Sequence, residues 1–288
     1  MKRSEFRFLE RLRVRWSEVD MQKIVFNGHY LMYFDTAIAG YWRALAMPYE
    51  ATMRHLGGDL YVRKATLEYL GSARYDDLCE VGLRCARVGN SSISFTAALF
   101  RGEDLLVHGE LVYVFADPAT QTSRPVPQDL RALLASHEAG QPTFDVALGS
   151  WADLGAAAQV LRHAVFVEEQ HIPAALEHDA ADATAVHALA RNRMGVVVAT
   201  GRLVAAGPGT GKVGRMAVCQ AVRGSGVGRQ VLAALVQAAR QRGDRNVLLH
   251  AQSSAVGFYL RAGFSARGAV FEEGGIPHQA MVLALAPA

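Results

Sequence analysis

"VGRMAVCQAVRGSGVGRQVLAALVQAARQRG", residues 213–243, is the stretch on which the fold turns. A β-type run ends near Val218. Arg223-Gly224-Ser225-Gly226-Val227-Gly228 follows, and an amphipathic helix starts at once. Glycines let the chain turn tightly and bring N–H groups close to an anion. A helix start adds unpaired donors and partial positive charge, so a pyrophosphate is the natural guest. The dinucleotide fingerprint G-x-G-x-x-G does not fit, because the three glycines sit at every second position and no acidic residue about twenty positions on closes a following strand. The Lys-Ser/Thr pair of a P-loop is also absent.

Around this stretch the pattern is that of a domain with a βαβ unit at its centre. Upstream lie a strand (143–148), a helix (152–167), two strands, "AVHALAR" and "GVVVATGRLVA", joined by an "NRM" turn, and a strand (212–219). Downstream of the helix (227–242) come a strand (246–251), a short helix (254–262) and a terminal hairpin (265–285). A polar stretch with Gly140 and Pro142, "SHEAGQPTFD" (136–145), separates this region from a different one. There a strand (8–16) leads through a loop to a helix (28–46) that places Tyr30, Phe34, Ile38, Tyr41 and Leu45 at helical spacing. "RKATLEYLG" (63–71), "DLCEVGLRCARVG" (77–89), "SISFTAALFRG" (92–102) and "DLLVHGELVYVFAD" (104–117) carry β-type alternation. The helical-looking "PQDLRALLAS" ends the region. Both regions are α+β, the first with a long helix laid on an antiparallel sheet. The expected limits are 1–137 and 143–288, with 138–142 as linker.

The chain has 288 residues, enough for two domains, and its composition, 51% hydrophobic and 20% charged, is that of a globular protein. A net charge of +3 is too small to argue for nucleic acid, and no nucleic-acid partner is expected. Cys79, Cys85 and Cys219 match no metal box or disulfide framework and read as reduced thiols of a cytoplasmic protein. The basic N-terminus lacks the apolar core of a signal peptide, and no run of about 18 apolar residues exists to span a membrane.

The loop from Arg223 to Gly228 matches every fixed position of Q/R-x-x-G-x-G/A, and here the chain resembles the GNAT N-acyltransferase superfamily. "SSAVGFYLRAGF" (253–264) resembles that family's second CoA motif. "RHAVFVEEQ", "GRLVA", "GKVGRMAV", "LHAQ" and "GGIPHQAM" look like the bacterial subgroup related to ElaA, so the likeness runs over roughly 142–286. The resemblance implies an acyl-CoA donor. The backbone of Met216, Ala217 and Val218 is expected to pair with the pantetheine arm. The amides of Arg223, Gly224, Ser225, Gly226, Val227, Gly228 and Arg229 are expected to hold the pyrophosphate. Tyr259 falls at the position of the general acid that protonates the leaving thiolate. For the base that serves the acceptor amine, His187, His250, Glu273 and His278 remain open.

In the first region, "WSEVDMQKIVFNGHY" (16–30) resembles the hotdog acyl-CoA thioesterases of the YbgC/FadM and 4-hydroxybenzoyl-CoA type, which read D-T-D-x-x-G-x-V-F/Y before a helix. The likeness runs over roughly 6–137. Asp20 matches the second, catalytic Asp, and Glu18 replaces the first, where it can raise the pKa of Asp20 or pair with Arg15. The resemblance implies that Asp20 acts as nucleophile or base. The amide at the helix start, near Asn27, then polarises the thioester carbonyl. Two departures stand out: Lys23 where the family usually has Gly, and Asn27 where some members have His, with His29 two residues later. Arg63, Arg74, Ser91 and Ser92 are candidates to meet CoA phosphates. The expectation is a bifunctional enzyme without metal, a homodimer or homotetramer through its hotdog domain, that hydrolyses acyl-CoA at one site and passes the acyl group to an amine at the other. The alternative is a single acyltransferase with a non-catalytic hotdog module for dimerisation or acyl-CoA sensing.

Overall fold

The computed structural model describes residues 1–285. The chain forms two compact units, Met1–Thr143 and a second beginning at Phe144. The last residues of the expected second domain, 286–288, lie outside the described residues.

In the first unit β1 (Phe8–Arg13) leads to the helix α1 (Asn27–Ala44), the short helix α2 (Tyr49–Leu56), and then β2 (Asp59–Tyr69), β3 (Leu78–Val88), β4 (Ser92–Arg101) and β5 (Asp104–Ala116); α3 (Gln128–Glu138) ends it. The strands form one antiparallel sheet in the order β1-β3-β4-β5-β2. α1 lies against β1 and β3. The five residues read at helical spacing, Tyr30, Phe34, Ile38, Tyr41 and Leu45, are all buried. Tyr41 makes edge contacts with Phe8, Trp42, Phe95 and His137, and its hydroxyl donates to Glu138 Oε1 at 2.7 Å. This is the helix-on-sheet architecture of a hotdog fold.

Two local expectations change. The strand expected over 8–16 stops at Arg13, and Trp16–Glu18 forms a 3-10 turn instead. Glu18 Oε2 accepts from the Arg15 amide at 2.7 Å, which curls the chain out of extended geometry. The sequence reading also lacks α2. That helix has eight residues and buries only Thr52 and Met53, too short a stripe to show a period, and Gly57 closes it at φ 65°.

The second unit runs β6 (Phe144–Gly149), α4 (Trp151–Arg162), a π-helical turn (His163–Glu169), α5 (Ala174–Glu177), β7 (Val186–Asn192), β8 (Val197–Ala205), β9 (Thr210–Val218), α6 (Val227–Gln241), β10 (Asn246–Gln252), α7 (Val256–Arg261), β11 (Ser265–Glu273) and β12 (Ile276–Ala284). Its seven-stranded sheet has the order β11-β12-β10-β9-β8-β7-β6. Among the described residues only β9 and β10 pair in parallel, and α6 is their crossover. The residues Val227, Val231, Leu232, Leu235, Val236 and Ala239 form the buried stripe of α6. Ser150 starts α4 with a reciprocal cap: its Oγ accepts from the Asp153 amide at 3.3 Å, and Asp153 Oδ2 accepts from the Ser150 amide at 3.1 Å. The helix expected over 152–167 is α-helical only to Arg162 and widens into the π-helical turn beyond it.

Candidate functional site

In the first unit, residues 19–27 fold as a small hairpin that runs into α1. Val19 bridges Val25, the Asp20 amide donates to Ile24 O at 2.9 Å, and the Lys23 amide donates to Asp20 O at 2.9 Å. Lys23 has φ 61°, the left-handed conformation that a glycine would take without strain. The turn the family makes with Gly is therefore made here with Lys.

The two acids have different surroundings. Glu18 is 3% exposed. It accepts from the Arg15 amide, from Arg15 Nε at 2.7 Å and from the Tyr33 hydroxyl at 2.7 Å. Burial pushes its carboxyl up, but the Arg15 amide, the Tyr33 hydroxyl and the Arg15 guanidinium outweigh that and hold it below the usual range. Of the two roles open to Glu18, the pairing with Arg15 is the one observed. Asp20 spends one oxygen on the Gln22 amide, at 2.8 Å. It lines an open cleft of about 580 Å³ together with Gln22, Asn27, Tyr30, Tyr69 and Ser72. Asn27 opens α1 with no side-chain cap before it. The amides of Asn27 and Gly28 meet no acceptor among the described residues, as befits a first helical turn. Tyr69 reaches the same place, its hydroxyl 3.3 Å from Asn27 O. The Tyr30 hydroxyl accepts from the Ala73 amide at 3.0 Å. The cleft thus brings together a carboxylate and a helix N-terminus. Arg63, Arg74, Ser91, Ser92 and His29 are not among its described lining residues.

In the second unit the parallel pair is a fork. β9 and β10 are in register only over Thr210–Lys212 and Asn246–Leu248. Beyond that they diverge, and β9 keeps only its β8 partner, with Ala217 opposite Thr200 and Val218 opposite Ala199. Met216 sits in a bulge with Arg215, whose φ is 50°. The edge of Met216, Ala217 and Val218 on the β10 side thereby lacks a strand partner. The glycine loop follows. Gly224 and Gly226 have φ 93° and 89°, so both need the glycine conformation. The Arg223 and Ser225 amides close local turns at 3.2 Å on Gln220 O and Val222 O, and the Val227 amide lies 3.4 Å from Ser225 Oγ. Those of Gly224, Gly226, Gly228 and Arg229 meet no acceptor among the described residues. A Cβ on Gly228 would meet Val218 Cγ2 at 3.0 Å, so this glycine lets α6 start against the end of β9. The Arg223 side chain points away from an anion role: it is held by Glu169 in a two-pronged pair at 2.6 and 2.7 Å and donates to Val218 O at 3.2 Å. Glu169 lies 54 residues upstream, and no local pattern gave it away.

Tyr259, on α7, is 8% exposed, and burial pushes its phenol up to about 12, so the proton is in place at neutral pH. The four candidate bases separate. His187 is 1% exposed and its Nε2 lies 2.9 Å from Asp182 O. It belongs to a buried charged network in which Arg162 pairs with Asp182 and Glu177, and Arg202 pairs with Asp182 and Asp179. Sequence reasoning missed this network because its members are scattered over four elements and their connections. His250, Glu273 and His278, by contrast, come together on β10, β11 and β12.

Two family models match the chain. The thioesterase superfamily matches residues 22–108, and the acetyltransferase (GNAT) domain matches 151–285. The first match begins two residues after Asp20. Among similar proteins is the uncharacterized N-acetyltransferase YjcF of Bacillus subtilis, 35% identical over 42% of this chain and 86% of its own length. An Aquifex aeolicus protein with the provisional name of esterase is 33% identical over 35% of this chain and 77% of its own. The acyl-CoA thioester hydrolase YbgC of Escherichia coli is 26% identical over 42% of this chain and 90% of its own. With the helix-on-sheet unit, the forked sheet and the glycine loop, these matches show that the chain belongs to the thioesterase superfamily through its first unit and to the GNAT acetyltransferase family through its second.

Proposed function

We propose that the chain is a bifunctional acyl-CoA enzyme. The observation that carries the first activity is that Asp20 and the start of α1 line the same cleft. In this reading the thioester carbonyl faces the Asn27 amide, which stabilises developing negative charge. Asp20 attacks the carbonyl or draws a proton from an attacking water. Glu18 holds the hairpin through Arg15 and Tyr33 and takes no part in the chemistry. The edge strand β2 carries exposed Val62 and Tyr69, and Leu70 follows it, which supports a dimer or tetramer through this unit.

The second activity is acyl transfer to an amine. The fork offers the strand-free edge of Met216–Val218 to the pantetheine amides. The free amides around Gly224–Arg229 and the positive end of α6 suit the pyrophosphate. Tyr259 supplies the proton to the departing thiolate. Coenzyme A thioesters are the shared substrate, and no step in either reading calls for a metal.

The test uses the full chain and a panel of acyl-CoAs, with released thiol measured in the absence of amine. Asp20→Asn is expected to slow hydrolysis by at least about 100-fold. Gly226→Ala, strained at φ 89°, leaves hydrolysis unchanged and raises the acyl-CoA KM of amide formation about tenfold. Equal hydrolysis by wild type and Asp20→Asn on every thioester would overturn the thioesterase assignment.

A further inference from the structure

Six side chains share one face of the second sheet beside the fork. Lys212 pairs with Leu248, two residues before His250; Gln252 and Phe271 each pair with His278; Glu273 lies two residues beyond Phe271. Gln252 Nε2 donates to Gln170 Oε1 at 2.9 Å, at the end of the π-helical turn, so this is the face toward which that turn lies. His250 is the first residue of β10 on this face beyond the last β9–β10 pair. It therefore stands where the two strands part.

His250 Nδ1 lies 2.7 Å from Glu273 Oε2. Lys212 Nζ lies farther from the same nitrogen, at 3.4 Å; the shorter contact is with a carboxylate that only accepts, so Nδ1 carries the hydrogen and the neutral ring keeps its lone pair on Nε2. Phe271 packs edge-to-face with the ring, centroids 4.9 Å apart, and restrains its plane. The ring is 28% exposed, open enough for a substrate to reach. Glu273 stays ionised: burial pushes its carboxyl up, but the hydrogen bond from His250 and the nearby charge of Lys212 bring it below its ordinary value. The alternatives are worse placed. His187 is sealed in the buried network. His278 has a backbone carbonyl, Ile276 O at 2.7 Å, behind its Nδ1, which stabilises an imidazolium less than a carboxylate does.

Resting on the acyl-transfer reading above, we propose that His250 is the base that deprotonates the acceptor amine and that Glu273 is its positioning residue. An alkylammonium gives one proton to His250 Nε2, and the freed lone pair forms the C–N bond to the thioester carbonyl. The C–S bond breaks and the sulfur takes the proton of Tyr259. The new amide nitrogen sheds a second proton, which restores Tyr259, and His250 returns the first to solvent. The products are amide, CoA thiol and one proton.

The test compares acceptors that need a base with one that does not. Full-length protein and acetyl-CoA are assayed for amide formation with spermidine, lysine amide and phenethylamine, all protonated at neutral pH, and with hydroxylamine, which is largely neutral there. His250→Gln is expected to lose at least about 100-fold with the protonated amines and no more than about threefold with hydroxylamine. Glu273→Gln keeps an acceptor for Nδ1–H and loses roughly tenfold with the protonated amines, and Glu273→Ala loses more. Acetyl-CoA affinity by calorimetry stays at the wild-type value in all three. Unchanged rates in His250→Gln, or equal losses with both kinds of nucleophile, would overturn the assignment of His250. Full activity in both Glu273 variants would overturn the positioning role. A wild type that acylates none of the four amines sinks the acyl-transfer reading itself, and His250 with it.

Discussion

Lys23 shows most clearly what a single residue contributes. The hairpin before α1 needs a left-handed residue, and the chain supplies one with a side chain, at φ 61°. That conformation costs a non-glycine residue roughly 1–2 kcal/mol, while glycine would return about 0.5–1 kcal/mol of that as unfolded-state entropy. Lys23→Gly is therefore expected to stabilise the first unit by about 0.5 kcal/mol, read as a rise of roughly 1–2 °C in its melting temperature. A fall instead would show that the Lys23 side chain stabilises the hairpin by more than its backbone conformation costs. Residue identity alone was enough to mark Glu18 and Asp20 as a pair, and the Arg15 partner of Glu18, three positions away, was within reach of sequence reasoning. Tyr33, which completes the pocket around Glu18, was not: it comes from the far side of a helical turn that only the fold brings back.

At the scale of elements, the long periodic helices were legible because their stripes repeat over several turns: of the five buried residues read at helical spacing, four lie in α1 and Leu45 caps its end. What escaped is short or locally steered, such as the 3-10 turn drawn by Glu18, the eight-residue α2, and the π-helical widening after Arg162. Pairing of β1 with β3 carries a pH prediction. Glu80 on β3 receives Arg3 Nε at 2.5 Å and Arg11 Nε at 3.0 Å. The Arg3 hydrogen bond leads the causes, ahead of the opposing effect of burial, and the carboxyl falls from 4.5 to about 2. A carboxyl with a depressed folded-state pKa stabilises the protein above its unfolded value, and the contribution is lost as pH falls toward the folded one. The gain is fully present above about pH 4.5 and fades down to about 2. Because the arginines are partly in solvent, it is worth roughly 1 kcal/mol. Glu80→Gln should lower the melting temperature at pH 7, and the gap to wild type should close as the pH approaches 2; a constant gap would assign the loss to packing rather than charge.

For the whole molecule, the order of units and their family membership were open to sequence reasoning because each has a motif at a helix start, where chemistry and backbone geometry coincide. The three-base cluster of the second unit was not, since strand register decides which of His187, His250, Glu273 and His278 meet. Residues 139–142 are exposed, and the two units divide just beyond them. Brief digestion with a protease of broad specificity is expected to cut there first and leave two folded fragments. Thioester hydrolysis should stay with the N-terminal fragment and amide formation with the C-terminal one. Loss of both activities at the rate of cutting would show that each unit needs the other.

The fork in the second sheet has one further consequence. Where β9 leaves β10, the ladder lacks rungs, and water has to satisfy main-chain groups that a neighbouring strand would otherwise hold. A bound pantetheine arm would behave as a temporary strand, short and removable, that closes the gap. Hydrogen–deuterium exchange should report this directly: acetyl-CoA should slow exchange across 216–218 and leave the doubly paired middle of β8 unaffected. The interrupted sheet is thus a splice awaiting its insert, with its weakest backbone at the place where the ligand is read.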